Sequence, residues 1–308
     1  MEKLQSTQTC DFHPYKILYL DQESKNYQLL FLISRLPFSV FYKFSNIVCF
    51  FVQHVFKYRK NVVRENLKRA FPEYDHKKFM NIENKFYRHL CDLFLEIIKS
   101  MGMTKEQMIK RFKVKNIEVL TQFEKKNTSV FLMCGHYASW EWMMSLGYHM
   151  KHKGYGIYKP IRNQYFDNLI KKIRSRHNAF MISQRTAARE IKRMEANNER
   201  GVFGFASDQS PRLKRLTYWR SFLGTKVPVF TGAERLAKEL NIPIVFAKIN
   251  RVKRGYYEVE FRVLSETPHK ISDYGITDLF TEWLEVQIKD DPSQYFWTHK
   301  RFKHAKKV

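Results

Sequence analysis

Residues 129–142 read SVFLMCGHYASWEW, an apolar run that ends abruptly in a glycine and a histidine. The run over residues 129–134 is of the short, continuous kind that is buried inside a β-sheet. Gly135 permits a sharp exit from that strand, so that His136 falls in the following turn. The stretch therefore predicts an imidazole at the carboxyl end of a strand, where α/β sheets place their active sites.

His136 and Glu141 together indicate acid–base chemistry. In an uninterrupted helix, residues five apart point roughly 140° away from each other. With His136 in the turn and Glu141 early in a helix predicted over residues 138–152, the carboxylate can instead fold back toward the imidazole. A neutral imidazole removes the proton of a hydroxyl or amine, while the carboxylate fixes the tautomer and stabilises the imidazolium that forms.

The nucleophile is expected to belong to the substrate, because no serine lies in a nucleophile-elbow setting. A thiol nucleophile at Cys134 is the less favoured alternative, since this residue ends an apolar run and buried thiols behave as small hydrophobic groups. The four cysteines, Cys10, Cys49, Cys91 and Cys134, show no Cys-x-x-Cys pairing and favour a reducing compartment.

The chain beyond residue 127 alternates between strand-like and helical patterns. Further short β-like runs lie at residues 154–158, 202–207, 242–249 and 256–264, and helical segments at 164–176, 186–198 and 232–240. A longer amphipathic helix is predicted over residues 78–100, and Thr231 with Glu234 is predicted to form a capping box. This alternation predicts an α/β fold in which a mixed sheet is flanked by helices on both faces.

Residues 27–56 form an apolar stretch in which only Arg35 and Lys43 are charged. A helix of about 20 residues can cross a bilayer, but the two basic residues interrupt the stretch and Pro37 would kink it. Three interpretations remain open: a spanning helix, a helical hairpin embedded in the membrane interface, or a buried helix pair of a soluble protein.

The chain next to this apolar stretch is strongly basic. Residues 57–69 contain six basic residues and one acidic residue. Such a cluster is retained on the cytoplasmic side of a membrane and attracts anionic lipid. We therefore expect an N-terminal extension over residues 1–26, a membrane-associating helix or hairpin over 27–56, and a catalytic domain over 57–308.

The net charge points to polyanionic partners. The chain has 308 residues, with 55 basic and 30 acidic side chains and a formal net charge of +25. Nucleic acid, an anionic membrane surface and an acidic carrier protein all fit this charge. Residues 211–224 mix basic with aromatic and aliphatic side chains, a pattern that suits a membrane or an acyl groove but also resembles nucleic-acid surfaces.

Seven segments occur in an order that carries a family resemblance: LISRLPFSVFY, YRKNVVRENLKRAFPE, GHYASWEW, YKPIRNQYFDNLIKKIRSR, FGFASDQSP, SFLGTKVPVFTGAERLAKELNIPIVFAKI and DPSQYFWTHKRFK. With them the sequence resembles the lipid A biosynthesis acyltransferases, the lauroyl and myristoyl transferases of Gram-negative bacteria. These belong to the wider His-x4-Asp/Glu acyltransferase superfamily. The resemblance extends from about Leu30 to Lys303.

The resemblance implies a fold like that of the glycerolipid acyltransferases. It also implies transfer of a fatty acyl group from acyl carrier protein to a hydroxyl of a lipid A precursor, at the cytoplasmic face of the inner membrane. His136 would be the base and Glu141 its carboxylate partner. No metal or organic cofactor is expected, and nucleic acid is not an expected partner.

The resemblance also suggests substrate-binding residues. Arg174 and Arg176 match the paired arginines of the family, and a guanidinium suits a phosphate or a developing oxyanion. Arg162 is a weaker candidate. Asp208 matches an acidic turn of the family and is expected to orient an arginine or the hydroxyls of the acceptor.

The chain departs from the family pattern after this acidic turn. Where many members have Asp-x-Asp followed by Gly-Pro, residues 208–211 read DQSP. Two other interpretations therefore stay open. One is an acyltransferase acting on a lysophospholipid or an aminolipid; the other is a non-enzymatic basic protein that binds membranes or nucleic acid.

Overall fold

The computed structural model describes residues 27–213 and 215–305, so the predicted extension over residues 1–26 lies outside the described residues. The apolar stretch forms two helices, α1 (27–35) and α2 (Phe38–Phe50), which continues as a π-helical turn over Phe51–Val55. Pro37 separates α1 from α2, because its ring cannot continue a helix. Within the described ranges, no helix has the combination of length and apolar character that a membrane span requires.

The remaining helices surround the sheet. They are α3 (Lys60–Ala70), α4 (His76–Ser100), α5 (Lys105–Arg111), α6 (Glu118–Lys125), α7 (Gln164–Ser175), α8 (Ala187–Ala196), α9 (Gly232–Leu240) and α10 (Gly275–Asp290). Short 3₁₀ helices cover Trp140–Tyr148, Pro268–Lys270 and Pro292–Gln294. Helix α4 confirms the predicted amphipathic helix, and the side chain of Asp75 caps it by accepting a 2.7 Å hydrogen bond from the Lys78 amide.

Polar contacts with α4 fix α1 and α2. The Nζ of Lys99 donates hydrogen bonds to the carbonyl oxygens of Ser34 (2.7 Å) and Leu36, which end α1. On α2, Tyr42 donates to Glu96 at 2.8 Å and Ser45 donates to Asp92 at 2.6 Å. Because these groups are specific and partly buried, one side of the N-terminal helices is bound to the protein body.

The sheet has seven strands: β1 (Phe112–Val114), β2 (Val130–Cys134), β3 (Lys153–Tyr158), β4 (Ala179–Ser183), β5 (Gly201–Ala206), β8 (Ile244–Lys253) and β9 (Tyr256–Ser265). Their order is β1-β9-β8-β2-β5-β3-β4, and a separate hairpin consists of β6 (Trp219–Phe222) and β7 (Thr225–Pro228). Strands β8, β2, β5, β3 and β4 are parallel, whereas β9 is antiparallel to β8 and β1 is parallel to β9. The predicted α/β fold with a mixed sheet is confirmed.

The strands predicted from sequence correspond to β2, β3, β5, β8 and β9, whereas β1, β4 and the hairpin were not predicted. Two local predictions are wrong. The helix expected over residues 138–152 is a 3₁₀ helix over Trp140–Tyr148. Within the described residues the side chain of Thr231 makes no capping hydrogen bond, and the carboxylate of Glu234 accepts instead from the amide and the hydroxyl of Thr277 on α10.

The two faces of the central strands differ in side-chain size. In the register of β2 with β5, Phe131 lies beside Phe203, and the rings are 5.8 Å apart. Tyr155 on β3 stacks on Phe203 at 5.3 Å, so this face is filled by aromatic rings. Successive side chains of a strand point to opposite faces. The opposite face of the same strands therefore carries Leu132 and, beside it in the register, Gly204.

Candidate active site

The parallel pairing of β2 with β5 brings two polar side chains together at the carboxyl edge of the sheet. The last pair in the register joins Cys134 to Ala206. His136 follows β2 by two residues and Asp208 follows β5 by two residues, so they leave the sheet at the same level. A backbone hydrogen bond of 3.2 Å from Ser207 to Cys134 extends the pairing beyond the strands.

His136 and Asp208 form a hydrogen-bonded pair. The imidazole Nδ1 lies 2.6 Å from Oδ1 of Asp208, whose side chain is fully buried, while the side chain of His136 is 20% exposed. The rings of Trp140 and Phe296 lie 5.1 and 6.0 Å from the imidazole. The carbonyl of His136 also accepts a 3.0 Å hydrogen bond from the Phe296 amide, so both backbone and ring are held.

The pair shifts the pKa of both groups. Burial acts to lower the pKa of His136, but the charge of Asp208, its hydrogen bond and the charge of Glu141 outweigh burial and raise that pKa. Burial likewise acts to raise the pKa of Asp208, but the charge and hydrogen bond of His136 outweigh it and lower that pKa. Asp208 therefore stays ionised near neutral pH and makes the imidazole a stronger base.

The second ring nitrogen of His136 remains available to a substrate. Nε2 lies 3.3 Å from the side-chain nitrogen of Gln209, a long contact at the edge of hydrogen bonding. With Nδ1 donating to Asp208, the neutral ring presents an unprotonated Nε2. That atom can accept a proton from an incoming hydroxyl once Gln209 moves aside.

Glu141 does not take the position predicted for it beside His136. Its carboxylate accepts hydrogen bonds from Nε of Arg174 at 3.0 Å and from Nη2 at 2.7 Å, a bidentate ion pair. The reason is local: Ala138 has a left-handed φ of +50°, and the 3₁₀ helix after it directs Glu141 toward α7. The predicted hydrogen-bonded pairing of His136 with Glu141 is thus replaced by a pairing with Asp208, and Glu141 acts on the imidazole only through its charge.

The other predicted substrate-binding residues lie in different places. Arg174 lines the cavity next to His136. Arg176 is exposed at the end of α7, near Tyr148 and His177, whose pKa values its charge lowers to a small extent. Arg162 is exposed on the loop between β3 and α7. In the described part of the chain, neither Arg176 nor Arg162 is among the residues that line the cavity.

The cavity has a volume of about 1340 Å³ and opens beside His136. The exposed cations in its lining include Lys159, Arg185, Arg212 and Lys303. Among the described residues, none of the four side chains has an acidic partner. Sequence reasoning missed them because they come from four separate segments and show no local motif.

Ser210 occupies the position of the second acid in the family pattern. Its hydroxyl donates a 2.7 Å hydrogen bond to the carbonyl of Arg301, and its amide donates at 3.1 Å to Nε2 of His299. Arg301 is buried, and burial lowers the pKa of its guanidinium. Its Nη1 donates to the carbonyl of Pro228 at 2.9 Å, whereas its Nε has no hydrogen-bond partner within the described ranges. A positive charge therefore lies beneath the acidic turn.

Burial raises the pKa of the Cys134 thiol, so it stays protonated and is a poor nucleophile. Over residues 27–213 and 215–305, no group of three or more His, Cys, Asp or Glu side chains is placed to hold a metal ion.

Comparison with known proteins identifies the family. A sequence model described as "Bacterial lipid A biosynthesis acyltransferase" matches residues 25–304. The chain belongs to this family. It is 23% identical over 288 residues to the lipid A biosynthesis palmitoleoyltransferase of Escherichia coli K12, with 89% of each chain covered. It is likewise 23% identical over 288 residues to a lipid A biosynthesis acyltransferase of Shigella flexneri.

The lipid A biosynthesis lauroyltransferase of Escherichia coli K12 is a further relative. It is 22% identical over 276 residues, again with 89% of each chain covered. The family and these relatives support assigning the chain as an acyltransferase of lipid A biosynthesis.

Proposed function

We propose that this acyltransferase moves a fatty acyl group from acyl carrier protein to a hydroxyl of a lipid A precursor, with His136 as general base. The observation that carries the proposal is the 2.6 Å hydrogen bond between Nδ1 of His136 and the buried Asp208, at the mouth of the cavity. In this proposal Asp208, rather than Glu141, holds the imidazole.

The chemistry follows from that geometry. Nε2 of His136 takes the proton of the acceptor hydroxyl as its oxygen attacks the thioester carbonyl of the donor. The C–O bond forms, the C–S bond breaks, and the imidazolium returns the proton to the leaving thiolate. Asp208 stabilises the imidazolium between these steps.

Arg174 is proposed to stabilise negative charge in the cavity, with Glu141 as the residue that positions it. Glu141 occupies Nε and Nη2 of Arg174, whereas Nη1, within the described residues, contacts the sulfur of Met181 at 3.4 Å. Nη1 can therefore donate to an oxyanion or a phosphate oxygen.

Four cations of the cavity lining support an anionic acceptor. Lys159, Arg185, Arg212 and Lys303 are exposed and lack acidic partners in the described part of the chain. The phosphates of a lipid A precursor suit such a cluster. The overall charge of +25 also suits an acidic carrier protein as donor.

The exposed side of the N-terminal helices supports action at the inner membrane, with the catalytic domain at the cytoplasmic face. Six large apolar side chains there are more than half exposed: Leu29 (58%), Leu32 (66%), Ile47 (58%), Phe50 (57%), Val55 (54%) and Phe56 (73%). Residues 57–69, with six basic residues, follow directly. An apolar surface beside positive charge is the combination that binds the interface of an anionic bilayer.

The experiment measures acyl transfer by purified protein from acyl-acyl carrier protein to a lipid A intermediate. His136→Ala is expected to lower the rate by about 100- to 10,000-fold, the range for loss of a general base. His54→Ala serves as a matched control, because His54 lies in the π-helical turn of the N-terminal segment. Full activity of the His136 variant would refute the assigned base.

A second acceptor class, a lysophospholipid or an aminolipid, is favoured by one observation. Ser210 replaces the second acid and leaves Arg301 without a carboxylate there. Mass spectrometry of the lipids of a deletion strain separates the two classes. Loss of one acyl chain from lipid A supports the first, and an unchanged lipid A with an altered phospholipid or aminolipid supports the second.

A further inference from the structure

Three glycines lie together on one face of the central strands. Gly154 and Gly156 are two residues apart on β3, and Gly156 lies beside Gly204 of β5 in the register. Residues two apart on a strand, and residues paired across strands, point to the same face. None of the three has a left-handed φ, so backbone conformation does not require glycine here.

The open volume next to these glycines explains their presence better than backbone conformation does. A Cβ added at Gly154 would meet nothing within 4 Å, and one added at Gly204 would meet only the carbonyl oxygen of Tyr155, at 3.7 Å. Glycine in a strand normally weakens it, since it has no side chain to pack and a large conformational freedom to lose. The unfilled volume above these strands therefore lowers the stability of the sheet. It is part of the cavity that opens at His136.

The surface formed by Gly154, Gly156 and Gly204 is the floor of a channel within the cavity, and this floor continues in both directions along the strands. Toward His136 it is extended by Cys134 and Ala206, which are paired in the register, and toward the amino end of the strands by Val202 and Ala179. All four line the cavity. The opposite wall carries methionines of the 3₁₀ helix and the residues after it: Met143, Met144 and Met150. These lining side chains are apolar, and the Arg174–Glu141 pair next to Met181 is a charged part of the wall.

The channel follows the strands for a useful length. From Ala206, the last residue of β5, to Val202 is four residues along the strand, or about 13 Å at roughly 3.3 Å per residue. A largely apolar channel of this length, with the imidazole of His136 in its lining, suits an unbranched hydrocarbon chain attached to a reacting carbonyl.

Met181 narrows the channel part-way along. Its Sδ and Cε would lie 3.2 and 3.1 Å from a Cβ at Gly156, and its Sδ contacts Nη1 of Arg174 at 3.4 Å. Methionine has three rotatable bonds and adapts to irregular space. Its side chain is therefore well suited to close the channel behind a short chain or to move aside for a longer one.

We infer that the transferred acyl chain lies in this channel, and that Gly154, Gly204 and Met181 determine its accepted length. The inference rests on the proposed function and adds to it the residues that select the donor. A side chain in place of Gly204 would occupy the volume used by the middle of the chain, whereas removal of the Met181 thioether would lengthen the channel.

The experiment offers the purified enzyme an equimolar mixture of acyl-acyl carrier proteins that differ in chain length, with product lipids resolved by mass spectrometry. Gly204→Val is expected to shift the most abundant product by at least two carbons toward shorter chains and to lower transfer of the wild-type length about tenfold or more. Met181→Ala is expected to shift products toward longer chains. Phe180→Ala is the matched control, since Phe180 precedes Met181 on β4 but points to the opposite face.

If Gly204→Val does not fold, Gly204→Ala adds a single methyl group in open space and tests the same position. An unchanged product distribution in Gly204→Ala and Met181→Ala would overturn the inference while acyl transfer itself continues, which leaves the proposed function intact. Equal loss of transfer for all chain lengths in a folded Gly204 variant would also overturn it. Absence of transfer by the wild-type protein would instead refute the proposed function.

Discussion

Two pairs, His136 with Asp208 and Arg174 with Glu141, each join a carboxylate to a basic side chain near His136. They differ in how the chain brings the carboxylate to its position. Asp208 is 72 residues from His136 in sequence, yet parallel strands deliver both side chains to one level of the sheet edge. Glu141 is only five residues from His136, yet the backbone turn at Ala138 directs it to Arg174. Strand register, and not closeness in sequence, decides which carboxylate contacts the imidazole.

The difference extends to electrostatics. The carboxylate of Asp208 is buried and acts directly on one ring nitrogen, so it has the larger effect in raising the pKa of His136. Glu141 is neutralised by a bidentate guanidinium, and its effect on the imidazole is the smaller one. We therefore expect the rate and its pH dependence to change by different amounts when each carboxylate is replaced by its amide.

The largest effect is expected for Asp208→Asn. The amide keeps the size of the side chain but removes the charge that stabilises the imidazolium, so the turnover rate should fall by about 100- to 10,000-fold. Steady-state kinetics with an unchanged thermal unfolding midpoint checks this. A rate within twofold of the wild type would show that Asp208 has no part in catalysis.

Loss of the second pair is expected to have an intermediate effect. Arg174→Gln leaves Glu141 without its bidentate partner and removes the donor Nη1 from the cavity, so the rate should fall about 10- to 100-fold, or roughly 1.4 to 2.7 kcal/mol in activation free energy. Arg174→Lys keeps the charge but not the planar fork and should recover only part of the rate. Full activity in Arg174→Lys would mean that charge alone suffices.

The pH dependence separates the two carboxylates more finely. His136 must be neutral to act as a base, so activity should rise with pH through its pKa, which lies above the ordinary value of 6.5. In Asp208→Asn, burial dominates and the rising limb should move to lower pH. In Glu141→Gln, the shift should have the same direction but a smaller size. A larger shift in Glu141→Gln than in Asp208→Asn would contradict the structural assignment.

The smallest effects are expected for two arginines outside the cavity lining. Arg162→Gln and Arg176→Gln should leave the rate within about twofold, because both side chains are exposed and surface charges of this kind contribute little. The same assay, at low and at physiological salt, checks this. A tenfold loss at physiological salt in either variant would restore that residue as a substrate-binding candidate.

The sequence predicted the architecture because the relevant signals are local. Apolar runs, the glycine after residue 134 and the alternation of strands with helices lie within short windows, and these gave an α/β fold with His136 at a strand end. Strand β4 was missed because AFMIS (179–183) is only five residues long and is separated from the end of helix α7 by three residues. The partner of His136 was missed because strand order is not a local signal.

The order of the strands explains why Asp208 was not predicted as the partner of His136. The chain visits β3 and β4 before it returns as β5 to pair with β2. A reading of residues 131–142 alone cannot place the end of β5 there, and it gives no warning that Ala138 takes a left-handed conformation. Asp208 was identified as a site residue from a family pattern, but its hydrogen-bond partner required the register of two parallel strands.

Strand β5 has one further consequence for how sequences of this kind can diverge. Its odd-numbered residue Phe203 is fully buried on the aromatic face, so truncation there should lower the free energy of unfolding by about 3–5 kcal/mol. Its even-numbered residues Val202 and Gly204 line the cavity, and a Cβ at Gly204 would enter open space, so enlargement there should alter the accepted acyl chain more than the stability of the fold. The stability of the fold and the selectivity for the acyl chain therefore depend on alternate residues of β5. Substitutions at one set of positions need not disturb the property that depends on the other set.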